Sequence, residues 1–406
     1  MNFSTSQRVK KSQAAFLATV VMGSLLVVAS PASNAAVAVS TGQACNSKAT
    51  VATAKNGKTV ACKSGKWTEY KKAKLVFGAA SATFAPKEEF AVYAVPKKLG
   101  YFAAENLEVS VVPTGGSIDA ANLVGIGRID ISGADLGSSL AAIEKGGNLK
   151  VIGGLVMNFP WKMAVEPTSA IKVPADLVGK KVGIVSTGSG SFPFAKAWLT
   201  GHNLKTTDVE YISLGGSIGP AQLALKEKRV DALAYYTSAY ALEEYAGTKY
   251  NYLPTPATLL PVRSLSWVVN TDAFNANPEI YERFLRAAFK GLIYSSTNVK
   301  SAATLGYTEL PVTLAGATIA STIGLGMASL GTWLQSATPL TGTPSSWTSL
   351  GGISQTDWTV NQAYAAAAGT IVASVSRANY YDERVLVRAN TFDRKAVIDK
   401  ANKAAK

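Results

Sequence analysis

The tetrapeptide Gly-Gly-Ser-Ile occurs twice in this chain, at 115–118 and at 215–218, and its surroundings recur with it. The first copy follows an apolar run (Leu107, Val109, Val111, Val112), and the helix-like stretch behind it ends at Arg128-Ile129-Asp130-Ile131. The second follows the run 209–214 and ends at Arg229-Val230-Asp231-Ala232. Strand, glycine turn, helix and strand in two copies predict two similar lobes with a cleft between them. Alternating β and α segments of this size predict parallel sheets with helices on both faces. Asp130 and Asp231 occupy matching positions in the copies and are expected to bond neighbouring backbone N–H groups.

The chain begins with Arg8, Lys10 and Lys11, an apolar run over 14–29, Pro31 and the small residues Ala32-Ser33-Asn34-Ala35. This three-part layout predicts a secretory signal peptide over 1–35, cleaved after Ala35. Sixteen apolar residues fall short of the roughly 20 that a spanning helix needs. Export predicts an oxidising surrounding, and the two cysteines, Cys45 and Cys62, then pair in a disulfide. Thr41-Gly42-Gln43-Ala44 is a poor lipid-attachment signal, and a single histidine with two cysteines argues against a zinc site.

Charge divides the chain further. Of the formal +14, the leader carries +3 and residues 36–74 carry +7, leaving +4 over the remaining 332 residues. The body is nearly balanced, which excludes nucleic acid as its partner. Residues 36–74 read as a basic, disulfide-clipped extension, either solvated or resting on an anionic cell-envelope component.

From Leu75 onward the elements alternate. Strands are expected at 75–77, 107–113, 129–132, 150–152, 182–185, 209–214 and 230–234, with helices at 86–105 and 191–200 among them. Extended stretches at 159–165 and 265–269 separate the series. The spacing of Ile280, Phe284, Leu285, Ala288 and Phe289 predicts a helix with one buried face. Residues 335–355 read as a loop and 395–406 as a solvated, fraying helix.

Several of these segments resemble the solute-binding proteins of the SsuA/THI5-like (NMT1) group. They are Leu99-Gly100-Tyr101-Phe102, Glu105-Asn106-Leu107-Glu108-Val109, the stretch 174–183, Asn277-Pro278-Glu279-Ile280-Tyr281 and Asn379-Tyr380-Tyr381-Asp382. The resemblance covers 75–395. It implies a type II periplasmic-binding-protein fold: two α/β lobes joined by two crossover strands, here 75–164 with 266–406, and 165–265. It also implies a monomeric, exported receptor that delivers a sulfonate, nitrate, carboxylate or pyrimidine-type solute to an ABC permease, without cofactor or metal. A receptor that presents its ligand to a sensor is the alternative.

A cleft of this kind needs groups that hold a solute without covalent chemistry. Glycine turns at helix starts supply free N–H donors and the positive end of the helix dipole, which suit an anionic or strongly polar group. The turns at 115–117, 186–191 and 215–217 qualify, and Gly116, Ser117, Ser186, Thr187, Gly188, Ser189 and Gly216 are the candidate contacts. Each glycine or serine there also serves as a tight turn or helix cap. Ala80, Ser81 and Asp135 end first-lobe strands and face the expected opening. Phe84, Phe159, Trp161, Phe192, Tyr235, Tyr236 and Trp267 are aromatic candidates; Trp161 and Trp267 are favoured because they sit on the crossovers.

An enzyme is not expected. Gly215-Gly216-Ser217-Ile218-Gly219 matches G-x-S-x-G, but a hydrolase of that type requires a histidine after its nucleophile. The only histidine, His202, precedes it in a polar turn. The pyrimidine-synthase branch of the resembling group uses a cysteine-rich motif and iron, and the body from Leu75 onward has no cysteine.

Overall fold

The computed structural model describes residues 38–46 and 51–405; the signal-peptide expectation over 1–35 lies outside the described residues. Three short antiparallel strands come first: β1 (Val51–Thr53), β2 (Thr59–Lys63) and β3 (Lys66–Glu69). The Cys45–Cys62 disulfide closes this small sheet. It is not a solvated extension. Tyr70 is buried against Arg283 and Arg286 of the helix Pro278–Thr297, and Thr59 Oγ1 donates to the buried Glu105 carboxylate at 2.8 Å. Arg286 meets Glu105 at 3.0 Å and Glu282 at 3.1 Å, with both partners buried. Burial alone would raise Glu105, but Arg286 and Lys290 overcome it and hold the carboxyl below its ordinary value. Charges taken from water are tolerated only when paired in this way.

The body holds two five-stranded sheets with the same plan. The first is built from β4 (Ala73–Ala79), β5 (Leu107–Pro113), β6 (Ile131–Asp135) and β7 (Leu149–Gly154). The second takes β8 (Trp161–Val165), β9 (Lys181–Ile184), β10 (Glu210–Ser213), β11 (Ala232–Tyr236) and β12 (Asn251–Tyr252). β13 (Leu265–Asn270) then returns to the first. The orders are β5-β4-β6-β13-β7 and β10-β9-β11-β8-β12. In each sheet four strands run parallel and the fifth, β13 or β8, is antiparallel to them and comes from a crossover. Because β8 pairs wholly within the second sheet, the chain passes between lobes before Trp161 rather than at 164–165.

The duplicated Gly-Gly-Ser follows β5 in one sheet and β10 in the other, the equivalent edge strands. The matching aspartates do equivalent work: Asp130 accepts from the Val76 N–H of β4, and Asp231 from the Lys181 N–H of β9. The helix after β4 is less regular than expected. It runs as a π-turn over Glu89–Ala94 and an α-segment over Val95–Lys98, and breaks at Gly100, whose φ of 75° lies in the left-handed region that glycine enters without strain.

The C-terminal segment is more ordered than its sequence suggests. The helix Ile319–Ala337 extends into the expected 335–355 loop, and the terminal helix Arg394–Lys403 buries Val397 and Ala401 in the first core instead of lying in solvent. The helix Gln355–Ala367 straddles both lobes: Trp358 packs in a first-lobe cluster, while Tyr364 packs in the second-lobe core. Among the described residues no helix is long and apolar enough to cross a membrane.

Candidate functional site

In a parallel α/β sheet every strand feeds a helix whose N-terminus faces the carboxyl edge, so ligand-binding groups collect there. Both sheets follow this rule. The turns after β4, β5 and β6 of one lobe meet the turns after β9, β10 and β11 of the other. The Ile118 N–H donates to the Gly188 carbonyl at 3.0 Å across the gap. Gly116 permits the approach: its φ is 151°, and a Cβ there would lie 2.6 Å from the Gly188 oxygen and 2.7 Å from the Ser189 Cα. Gly216 approaches the first lobe less closely: a Cβ there would lie 3.1 Å from Thr83 Oγ1 and 3.7 Å from Ser81 Oγ. The lobes are therefore closed on each other.

Between them lies a cavity of about 60 Å³ for the centres of water-sized molecules. On that measure a single water needs roughly 10–15 Å³, so the closed cavity suits a solute of few heavy atoms. The first lobe contributes Ser81, Lys87, Glu88 and Ser117, and the second Trp161, Ser189, Gly190, Tyr236 and Ser238. Ser264, between the lobes, and Trp333 and Ser336, on the helix Ile319–Ala337, complete the wall. Three helices of nine or more residues begin here, at Ser117, Ser191 and Thr237.

Of the residues singled out in the sequence, Ala80, Ser81, Ser117, Trp161, Ser189 and Tyr236 line the cavity. Trp161 stacks on Phe194 at 5.7 Å and meets Tyr236 edge-on. Its buried Nε1–H has no partner within the protein. Asp135 lies just behind the lining, capping the helix Leu136–Glu144 by accepting from the Ser138 N–H at 3.0 Å. Burial pushes its pKa up to about 7, against the hydrogen bonds from Ser138, Gly137 and Ser264.

The other candidates sit elsewhere. Gly116, Gly188 and Gly216 form the contact between lobes instead of the cavity wall, and Ser186 and Thr187 stand outside it, Thr187 exposed. Trp267 is fully buried in the first core against Phe77 and Phe284, because β13 is a central strand covered on both faces. Phe84 packs on the same core, while Phe159 and Phe192 join the second-lobe core. Tyr235 also faces inward, its hydroxyl donating to the Gly215 carbonyl at 2.7 Å. Alternation along β11 directs neighbouring side chains to opposite faces, so Tyr236 reaches the cavity and Tyr235 does not.

Sequence reasoning missed the cluster Lys87-Glu88-Glu89. A run of three charges at a helix start reads as a solvated face, yet all three are buried. Lys87 Nζ donates to Glu88 at 2.5 Å and to Glu89 at 2.8 Å. Burial alone would lower the lysine, but the two carboxylates outweigh it and hold its pKa above the ordinary value. Burial and the Glu88 charge push Glu89 up to about 8, against Lys87. The signal available was the apolar context, Phe90 to Val95, which buries the whole turn. Trp333, Ser264 and Ser336 carried no local signal.

The two residues weighed in the sequence for a hydrolase lie outside the cavity wall. Ser217 is exposed, and the ring of His202 bonds the Pro254 carbonyl and lies edge-on to Trp198. Among the described residues no group of three or more His, Cys, Asp or Glu could hold a metal ion.

Comparison with known proteins follows the same lines. The model of a family described as NMT1/THI5 like matches residues 87–302. A solved protein of Bordetella bronchiseptica RB50 is 19% identical, with a TM-score of 0.62, covering 79% of this chain and 97% of its own. The periplasmic aliphatic sulphonate binding protein SsuA of Escherichia coli is 18% identical with a TM-score of 0.54, covering 72% of this chain and 85% of its own. At these identities the likeness is one of fold. A curated 4-amino-5-hydroxymethyl-2-methylpyrimidine phosphate synthase of Legionella pneumophila is 28% identical over 91 residues. That match spans 22% of this chain and only 29% of the synthase.

Proposed function

Since the chain belongs to the NMT1/THI5-like family, we propose that it is an exported solute-binding protein that captures a small molecule between its lobes and hands it to an ABC permease. The observation that carries this reading is the meeting of both sets of strand-end turns around one cavity, joined by the Ile118–Gly188 hydrogen bond. A solute that contacts both lobes only when they meet shifts the open–closed equilibrium by its differential affinity for the two states. Domain closure about a hinge is a common form of such a switch.

The wall chemistry supports a solute with an acceptor-rich, anionic or strongly polar head. Three helix N-termini, the serine hydroxyls and the Trp161 Nε1–H all offer donors. Glu88 adds one acceptor, which suits an N–H or O–H elsewhere on the solute. The indole of Trp161 provides an apolar face of the kind that small-molecule sites pair with a few placed polar groups. A small sulfonate or carboxylate, or a polar nitrogen heterocycle, meets these demands. No residue is assigned a catalytic role.

A thermal-shift screen over sulfonates, nitrate, carboxylic acids and pyrimidines tests the reading. A stabilising solute whose effect shrinks in Trp161→Phe and Ser117→Ala supports it. Hydrolysis of an ester panel, with no solute raising the melting temperature, overturns it.

A further inference from the structure

A groove much larger than the interlobe cavity lies elsewhere on the molecule. It lies beside the first lobe, with a volume of about 930 Å³, and Lys58, Lys72, Lys74 and Lys97 stand around it with Asn106 and Ser110. Two carboxylates, Glu108 and Asp130, also line it, and Asp130 is engaged by the Val76 N–H. Lys58 Nζ donates to the Ala103 carbonyl, and Lys97 pairs with Glu309. Lys72 and Lys74 both approach Glu108, at 3.3 and 3.8 Å, with side chains 76% and 80% exposed. Exposed pairs of this kind are weak and screened by solvent, so an external anion competes for them readily.

The groove has a fixed shape. The small disulfide-closed sheet is anchored to the first lobe by the Tyr70, Arg283, Arg286 and Glu105 cluster. The arginines of this anchor are buried, while the lysines of residues 51–74 remain on the outside. Residues 51–74, with seven lysines against Glu69, thus carry +6 of the formal +14 on the first lobe, away from the solute cavity.

We propose that this groove binds a linear phosphate polyanion, of the phosphodiester type found in cell-envelope polymers. The concave form favours a chain lying between the lysine-bearing walls over a flat bilayer, whose headgroups would reach only the rim. The inference does not depend on which solute fills the interlobe cavity, nor on whether one does.

The test uses the full folded protein and immobilised inorganic polyphosphate as the probe, with phosphatidylglycerol vesicles as a second arm. Binding to polyphosphate should weaken at least about tenfold between low and physiological salt, since screening shortens to ~8 Å there. Lys72→Gln with Lys74→Gln should weaken it at least about tenfold, in line with about 1 kcal/mol for each lysine at an anionic surface. Glu108→Gln should tighten it several-fold. Lys226→Gln with Lys228→Gln, which removes the same charge from exposed positions on the second lobe, should leave it within twofold. Equal loss in the two double variants would reduce the effect to net charge and overturn the proposal. So would salt-independent binding, no binding, or binding to vesicles alone. Unchanged melting temperatures would separate lost binding from lost folding.

Discussion

Asp135 and Glu89 are buried carboxyl groups whose pKa values lie well above those of exposed counterparts, about 7 and about 8. Burial is the leading cause in both, so the native state binds their protons more tightly than the unfolded chain does. Stability from such groups is greatest below the unfolded pKa near 4 and is lost as pH rises toward 7–8. Asp135→Asn keeps a helix-capping side chain but removes the titration. Its stability relative to the parent, measured by urea unfolding, should therefore rise between pH 4.5 and pH 7.5, with a slope of up to about 1.4 kcal/mol per unit. A difference independent of pH would mean that Asp135 is not protonated in the native state. Two adjacent tyrosines give a second residue-level test. Tyr235→Phe removes a buried hydrogen bond to Gly215 and should cost about 1–2 kcal/mol of stability with solute affinity retained. Tyr236→Phe should change solute affinity with a smaller effect on unfolding.

At the level of elements, the close approach of the turns predicts how closure can be blocked. Gly116→Ala should hold the lobes apart, because its Cβ would collide with the Gly188–Ser189 backbone. Gly215→Ala is the matched control: it is also strained, at φ 87°, but its Cβ would meet nothing within 4 Å. Solute affinity should fall at least about tenfold in the first and much less in the second, read by calorimetry. A similar loss in both would assign the effect to local strain. The N-terminal sheet offers a separate prediction. Closing a loop across a 17-residue separation contributes roughly 3 kcal/mol by the chain-entropy account. Reduction, or Cys45→Ser with Cys62→Ser, should loosen β1–β3 while the two five-stranded sheets persist, as hydrogen exchange can resolve.

The elements also show what could be read from sequence. The duplicated Gly-Gly-Ser and the paired aspartates marked equivalent positions of two sheets because their turn and hydrogen-bonding roles are local. Ser117 and Ser189 were legible for the same reason, as polar residues at helix starts after strands. Trp267 and Tyr235 were misplaced because orientation depends on which face of a strand meets a helix layer, a tertiary property. The burial of Lys87, Glu88 and Glu89, and the arrival of Trp333 from a helix more than 200 residues later in the chain, depend on the assembled fold. Terminal Val397 and Ala401 likewise gain their partners only there.

For the whole molecule, each crossover leads directly into the antiparallel strand of the lobe it enters, and the helix Gln355–Ala367 packs on both lobes. Arg263 ties the second crossover to the first through the Met157 carbonyl, and to this helix through Asp357 at 2.8 Å. Such ties fit the proposed role, in which the lobes part at the cleft while the crossover side stays joined. In the proposed role a small solute binds between the lobes and closes them. The most direct measurement is small-angle scattering of the purified protein with and without a solute found by the thermal-shift screen. Closure on a solute should give a smaller radius of gyration on saturation in the parent and little change in Gly116→Ala. A saturating solute that leaves the parent's scattering unchanged from an open form, or compacts both proteins equally, would contradict it.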